Sequence, residues 1–158
     1  MVELDIRITA KDLYDYNLRH AYNSAAGLMG SVLGALMIIV GIYTETWISV
    51  IGGVFLLGYL PWTLFIRSRQ QALTNPVFKE TLHYVLDDTG ITISQGEASE
   101  TQEWEQMYKA VSTARSIIVY TSRRNATIFP KAQLGDQKAS VIGMISTHMP
   151  PAKVKIRL

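Results

Sequence analysis

Residues 24–43 read SAAGLMGSVLGALMIIVGIY and residues 47–66 read WISVIGGVFLLGYLPWTLFI; neither run contains a charged side chain, and only Thr44, Glu45 and Thr46 separate them. A helix needs about 20 apolar residues to cross a hydrocarbon core of roughly 30 Å. Both runs reach that length, so each predicts a transmembrane helix, and the short link predicts a tight antiparallel hairpin. The competing reading is a pair of core helices in a soluble protein. At 158 residues the chain has too few polar residues left to cover two such helices.

The flanks support the same reading. Tyr22, Tyr43 and Trp47 stand at the ends of the runs, with Tyr59 and Trp62 near the second exit, and amphipathic rings favour the headgroup level. The link carries no Lys or Arg. Arg7, Lys11 and Arg19 precede the first run, and Arg67 and Arg69 follow the second. Because positive flanks stay inside, both termini are expected in the cytoplasm of a bacterial cell, with the chain multi-pass in its inner membrane. No secretory leader is expected: residues 1–23 carry Glu3, Asp5, Asp12 and Asp15, and the first apolar run exceeds a signal h-region.

Within the runs, Gly30 and Gly34 form a G-x-x-x-G step that Ala26 extends backward, and Ser49 and Gly53 repeat the spacing. Small residues on one face let backbones approach closely. These faces either meet inside the hairpin or form a dimer seam or a partner's docking face. Pro61 predicts a kink near the end of the second helix. Neither run has an Asp, Glu, Lys, Arg or His side chain, which argues against an ion pathway or proton relay.

The remaining chain has ordinary soluble composition. Residues 67–158 hold 12 of the 15 Lys/Arg and 8 of the 13 Asp/Glu, a local excess of +4 against +2 for the whole. That bias is too small for a nucleic-acid footprint. There are no cysteines, which removes disulfides, thiolate metal sites and cysteine nucleophiles together.

Residues 2–8, VELDIRI, alternate apolar and charged as a half-buried strand does. Thr9 to Asp12 then spell a capping box, and one long helix is expected from about residue 10 to 43. After the second run, RSRQQALT predicts a helical extension stopped at Asn75-Pro76. HYVLD and ITIS flank Asp88-Thr89-Gly90, a hairpin signal. QGEASE reads as a polar loop and TQEWEQMYKAV as a strand. SIIVYT and ATIFPK read as a second hairpin, and residues 136–149 as a helix with Ile142, Ile145 and Met149 on one face. The tail KVKIRL alternates basic and apolar. Opposite charges on the first and last strands, Glu3 and Asp5 against Lys153, Lys155 and Arg157, predict that the two strands pair. The alternative is that the tail docks elsewhere or lies on anionic lipid.

The order QGEASE, TQEWEQMYKAV with its central Trp104, SIIVYT, and TIFPK leading into a helix resembles the YcxB-like family of bacterial membrane proteins, as does LDIRITAKDLYDYNLRH followed by two spans. The tail KVKIRL lies outside that pattern. The resemblance implies a small β-sheet with a C-terminal helix, similar to pleckstrin-homology-like domains, and implies no activity and no catalytic residues.

Candidate chemistry is sparse. His20, His83 and His148 lack metal-ligand spacing, and no H-E-x-x-H, G-x-S-x-G or Walker loop occurs. Asp87-Asp88 belongs to a turn. Glu97, Glu100, Glu103 and Glu105 read as a solvated edge, with a divalent-ion site as the sharper alternative. The sequon Asn125-Ala126-Thr127 carries no meaning in a cytoplasmic domain. Trp104 is read as a core anchor, with a ligand-facing role as the alternative. Arg123-Arg124 at a turn, with Arg115, Lys131, Arg67 and Arg69, is the candidate lipid- or partner-binding surface, since each cation near an anionic leaflet contributes about 1 kcal/mol.

The expectation is therefore a membrane α+β protein. A cytoplasmic N-terminal strand and helix (1–23) and a transmembrane hairpin (24–66) carry a cytoplasmic β-rich, pleckstrin-homology-like domain (67–158). Its expected function is non-enzymatic and cofactor-free: binding a partner protein or anionic lipid headgroups, with homodimerisation open and no role for nucleic acid. Immunity against a membrane-active toxin is the alternative, and an enzyme built on Asp87 and Glu97 is the third class.

Overall fold

Thr9 sits in extended backbone and caps helix α1 (Ala10–Tyr22): its side chain accepts from the Asp12 backbone N–H while Asp12 reaches back to the Thr9 N–H at 3.0 Å. This is the capping box that the sequence spells. The computed structural model describes residues 1–122 and 125–156, and among these the chain is α+β. Strand β1 (Val2–Ile6) precedes α1. Helices α2 (Ala25–Tyr43) and α3 (Trp47–Thr74) follow it, both long and apolar enough to cross a membrane.

The expected single helix from residue 10 to 43 is broken at Asn23-Ser24. Ser24 is extended (φ −84°, ψ 150°) and its Oγ accepts from the Gly27 N–H while donating to the Ala21 carbonyl at 2.6 Å. The Asn23 amide donates to the Arg19 carbonyl. Gly27 is required at this junction, because a Cβ there would lie 2.1 Å from the Ala21 oxygen. Side chains that compete for the helix's own hydrogen bonds make the interruption.

Helix α3 runs helical through Pro61 and ends at Asn75, ahead of Pro76. Its 28 residues span about 42 Å at ~1.5 Å per residue, so its last turns outrun the apolar stretch. They pack on α1: Tyr14 meets Phe65 edge-on at 5.8 Å, and Asn17 donates to the buried Ser68 hydroxyl at 2.9 Å.

Two four-stranded sheets make up the rest. The first has the order β1-β2-β3-β4, with β2 (Leu82–Leu86), β3 (Gly90–Gln95) and β4 (Ala98–Glu103). The second has the order β7-β6-β5-β8, with β5 (Lys109–Ser112), β6 (Ser116–Tyr120), β7 (Ala126–Pro130) and β8 (Val154–Lys155). Between β7 and β8 come the short α4 (Lys131–Leu134) and α5 (Lys138–His148). The core is the space they share: Ile6, Leu86 and Ile91 from the first sheet, Ile117, Val119 and Phe129 from the second, Val141 and Ile145 from α5, all at 0 % exposure. Strand β6 is buried on both faces. Its odd-numbered residues face this core, while Ile118 and Tyr120 join Val111 in a second cluster against Tyr16 of α1. Thus α1 covers the outer side of the second sheet.

Three further expectations are corrected. TQEWEQMYKAV is two strands, because a tight turn at Trp104–Gln106 carries the chain from one sheet to the other. Trp104, buried there, donates its indole N–H to the Asp87 carbonyl and stacks on His148 of α5. QGEASE is largely strand, since Gly96, at φ +58°, makes the tight turn from which β4 starts at Ala98. The terminal strands do not pair: β1 runs antiparallel to β2, and β8 lies parallel to β5. Asp5 accordingly meets His83 at 2.8 Å instead of a tail lysine. The Gln133 side chain bonds both the N–H and the carbonyl of Arg7, just beyond β1. The Asp88-Thr89-Gly90 hairpin, the SIIVYT–ATIFPK hairpin and the late helix with buried Ile145 are present as read.

Candidate functional site

The parallel seat of β8 on β5 has a chemical consequence. It brings Lys153 and Lys155 beside Lys109 of β5 and opposite Arg19 near the end of α1. Together with Asn23, Tyr108, Val111, Tyr120 and Ala152 these four cations line a cleft of about 560 Å³. Among the described residues, none that line it is acidic. A smaller lobe of about 150 Å³ continues it past Tyr108, Lys109, Tyr120 and Asn23 to His20 and Ser24. Because Ser24 caps α2, the cleft opens where α1 gives way to the first apolar helix.

The aromatic floor orders the cations. The Lys109 ammonium lies 4.8 Å from the centre of the Tyr120 ring and 5.6 Å from that of Tyr108, within cation–π range. Tyr120 in turn stacks toward Tyr16 and His20. Burial raises the Tyr120 phenol, the neighbouring Tyr16 raises it further, and Arg19 pulls the other way; burial also raises Tyr16. Both phenols therefore stay protonated near neutrality and add no negative charge. Lys153 is partly committed, donating to the Met107 carbonyl at 3.0 Å. A cationic cleft with no carboxylate among its described lining residues is suited to a ligand bearing phosphate or carboxylate oxygens.

The basic residues singled out from sequence lie elsewhere. Arg67 and Arg69 are exposed on α3, flanking the buried Ser68. Arg115 is exposed at the β5–β6 turn, and its carbonyl accepts from the Lys131 N–H. The Lys131 ammonium is spent on the Thr113 carbonyl at 2.6 Å, beside the Thr113–Asp15 hydrogen bond at 2.5 Å. Arg123 and Arg124 lie outside the described residues. Sequence reading missed Arg19, Lys109, Lys153 and Lys155 as a group. The alternating tail was the available signal, but its partner strand could not be read.

In the helical pair, Gly34 and Gly53 meet closely: a Cβ on Gly53 would lie 2.7 Å from the Gly34 oxygen. Gly41 packs on Val50 and Ser49. Ala26 and Gly30 instead line a groove beside α3.

The carboxylates are placed without convergence. Asp87 Oδ1 accepts from the Thr89 hydroxyl, the Thr89 N–H and the Gly90 N–H, which together hold its carboxyl below the usual range. Glu97, Glu100, Glu103 and Glu105 are exposed, and among the described residues no three His, Asp or Glu side chains form a group able to hold a metal. A second large cleft, between β7 and the β2–β4 face, is lined by Phe78, Leu82, Tyr84 and Ile93, with Glu100 its one charged residue among the described residues.

The molecule is thus an α+β sheet domain joined to two apolar helices, with a cationic cleft at the junction. Residues 86–142 match the family model described as YcxB-like protein, a stretch running from the end of β2 into α5 that includes Lys109 and Tyr120 of the cleft. No curated protein and no solved structure matches the chain.

Proposed function

We propose that the chain is a membrane-anchored, non-enzymatic binding module whose cytoplasmic domain holds the headgroup of an anionic lipid in the Arg19/Lys109/Lys153/Lys155 cleft. In this reading α2 and α3 form a transmembrane hairpin in the bacterial inner membrane, with both termini on the cytoplasmic side as the basic flanks require. The sheet domain, two four-stranded sheets closed by α5, acts as a pleckstrin-homology-like module.

The position of the cleft carries the proposal. Arg19 and Asn23 lie within two turns of Ser24, where the apolar helix begins, and with α2 spanning the bilayer this end of the cleft would face the lipid phosphates. Each cation near an anionic leaflet is worth about 1 kcal/mol, and Lys109 is held in place by two rings rather than free to sweep solvent. Solvated surface cations elsewhere, such as Arg67 and Arg69, lack that enclosure. The carboxylates that an enzyme would need are committed to a turn or spread over an exposed strand.

The test is thermal unfolding of the full chain in a nonionic detergent with added phosphatidylglycerol or phosphatidylcholine. Phosphatidylglycerol is expected to stabilise selectively, by about 2.7 kcal/mol at a hundredfold excess over Kd. The effect should shrink as salt rises. The triple variant Arg19→Ala/Lys109→Ala/Lys155→Ala, confirmed as folded by circular dichroism, should lose the selectivity. Equal stabilisation by both lipids, or full selectivity in the variant, overturns the proposal.

A further inference from the structure

Immediately beyond the cleft, on the other side of the α1–α2 break, lies a second cavity of different chemistry. Gly27, Gly30 and Ser31 of α2 and Ala21 and Tyr22 of α1 face Leu56, Leu57, Tyr59 and Leu60 of α3 around a groove of about 250 Å³. Its serines offer no free hydrogen: Ser31 donates to the Gly27 carbonyl and Ser24 to the Ala21 carbonyl. Ser24 lines both this groove and the inner lobe of the cationic cleft.

The groove has a local cause. At Gly34 the helices are in contact, since a Cβ there would lie 2.9 Å from Leu57 and 3.2 Å from the Gly53 oxygen. One turn earlier, a Cβ on Gly30 would meet nothing within 4 Å. The helices are in contact at Gly34, whereas at Gly30 the residue lining the groove has no side chain to fill it.

We infer that one anionic glycerophospholipid occupies both cavities, its phosphate among Arg19, Lys109 and Lys155 and one acyl chain in the Gly30 groove. This rests on the proposed headgroup function and deepens it. The occupant follows from continuity: an apolar slot meeting a cationic cleft at Ser24 matches a ligand with charge at one end and hydrocarbon at the other. A lipid so held is bound by its chain as well as its charge, which distinguishes it from lipid attracted to any basic surface.

The experiment is native mass spectrometry of the full chain extracted from bilayers of equal phosphatidylglycerol and phosphatidylcholine, alongside thermal unfolding with dihexanoyl phosphatidylglycerol, whose chains are too short to fill the groove. Gly30→Leu is expected to weaken retention of long-chain phosphatidylglycerol about tenfold or more while leaving the response to the short-chain lipid intact. That intact response also certifies the variant as folded. A phosphatidylglycerol with a mid-chain diazirine, added to the unsubstituted protein, should crosslink to Gly30, Leu56 or Leu60. Undiminished retention by Gly30→Leu, adducts spread evenly around the hairpin, or a dimer mass with no bound lipid would each overturn the acyl-chain site and leave the headgroup reading standing. Indifference of the unsubstituted protein to headgroup charge at both chain lengths would instead remove the headgroup reading and this inference with it.

Discussion

The helical pair and the sheet domain solve opposite packing problems. In the sheet domain the largest side chains are inside: Phe129, Leu86 and Ile117 are fully buried. In the pair the arrangement is inverted. Met29, Ile39, Ile48 and Phe55 are each more than 60 % exposed, while the buried residues of the apolar stretches are Gly27, Gly34, Gly41 and Gly53. In water, removing apolar area drives large residues inward, at about 25 cal/mol per Å². Between helices in lipid that drive is absent, and close backbone approach through small residues replaces it. The pair thus leaves exposed the kind of apolar surface that the sheet domain buries, and the cationic cleft sits where the two regions join.

The sharpest way to break this contrast is a pair of truncations. Phe129→Ala should cost about 3–5 kcal/mol by opening a cavity in the sheet core, where the ring also packs on Tyr84 at 5.2 Å. Leu36→Ala, at a half-exposed α2 position, should change stability by about 0.5 kcal/mol or less. Thermal unfolding in one detergent compares them, and a similar cost for both would mean that α2 is packed like a soluble core. Enlargement should run the other way. Gly53→Leu is expected to destabilise the hairpin by about 1–3 kcal/mol, since its Cβ would collide with Gly34 and Ile38. Gly30→Ala should be close to neutral in the same measurement. The smallest effect belongs to the β2–β3 turn. Hydrogen bonds from Thr89 and Gly90 lower the Asp87 pKa in the folded state. Its contribution is therefore complete above the ordinary carboxylate value of about 3.9 and is lost as pH falls through the lower folded value. An Asp87→Asn variant should show less loss of stability on acidification than the parent, and identical acid profiles would mean that the turn is held by other contacts.

Elements governed by neighbouring residues were legible beforehand. The capping box at Thr9, the stop at Asn75-Pro76 and the Thr89-Gly90 hairpin depend on side chains within a few residues of one another, and the apolar runs declare their helices by length. The break at Asn23-Ser24 is also local, yet the apolar continuity across it hid the competing hydrogen bonds of two short polar side chains. The pairing of the terminal strands was misread for another reason. Complementary charge on Glu3 and Lys155 is compatible with a ladder, but surface pairs contribute too little to choose one partner over another. Backbone hydrogen bonding and burial of Ile6 and Val154 chose β2 and β5 instead.

The candidate site follows the same division. Composition and order by themselves determined two helices able to span a membrane, a charge-free link, basic flanks and a β-rich remainder without cysteine, because hydrophobic length and turn chemistry are properties of contiguous residues. Only the tertiary structure decided that Arg19, Lys109, Lys153 and Lys155 share a cleft, and that Gly34 is closed while Gly30 is open. Those residues are scattered between position 19 and position 155, and their meeting depends on one parallel strand pairing and one helix break. The break is made by local side chains, but the strand pairing that brings the distant lysines to it is settled by the packing of whole surfaces.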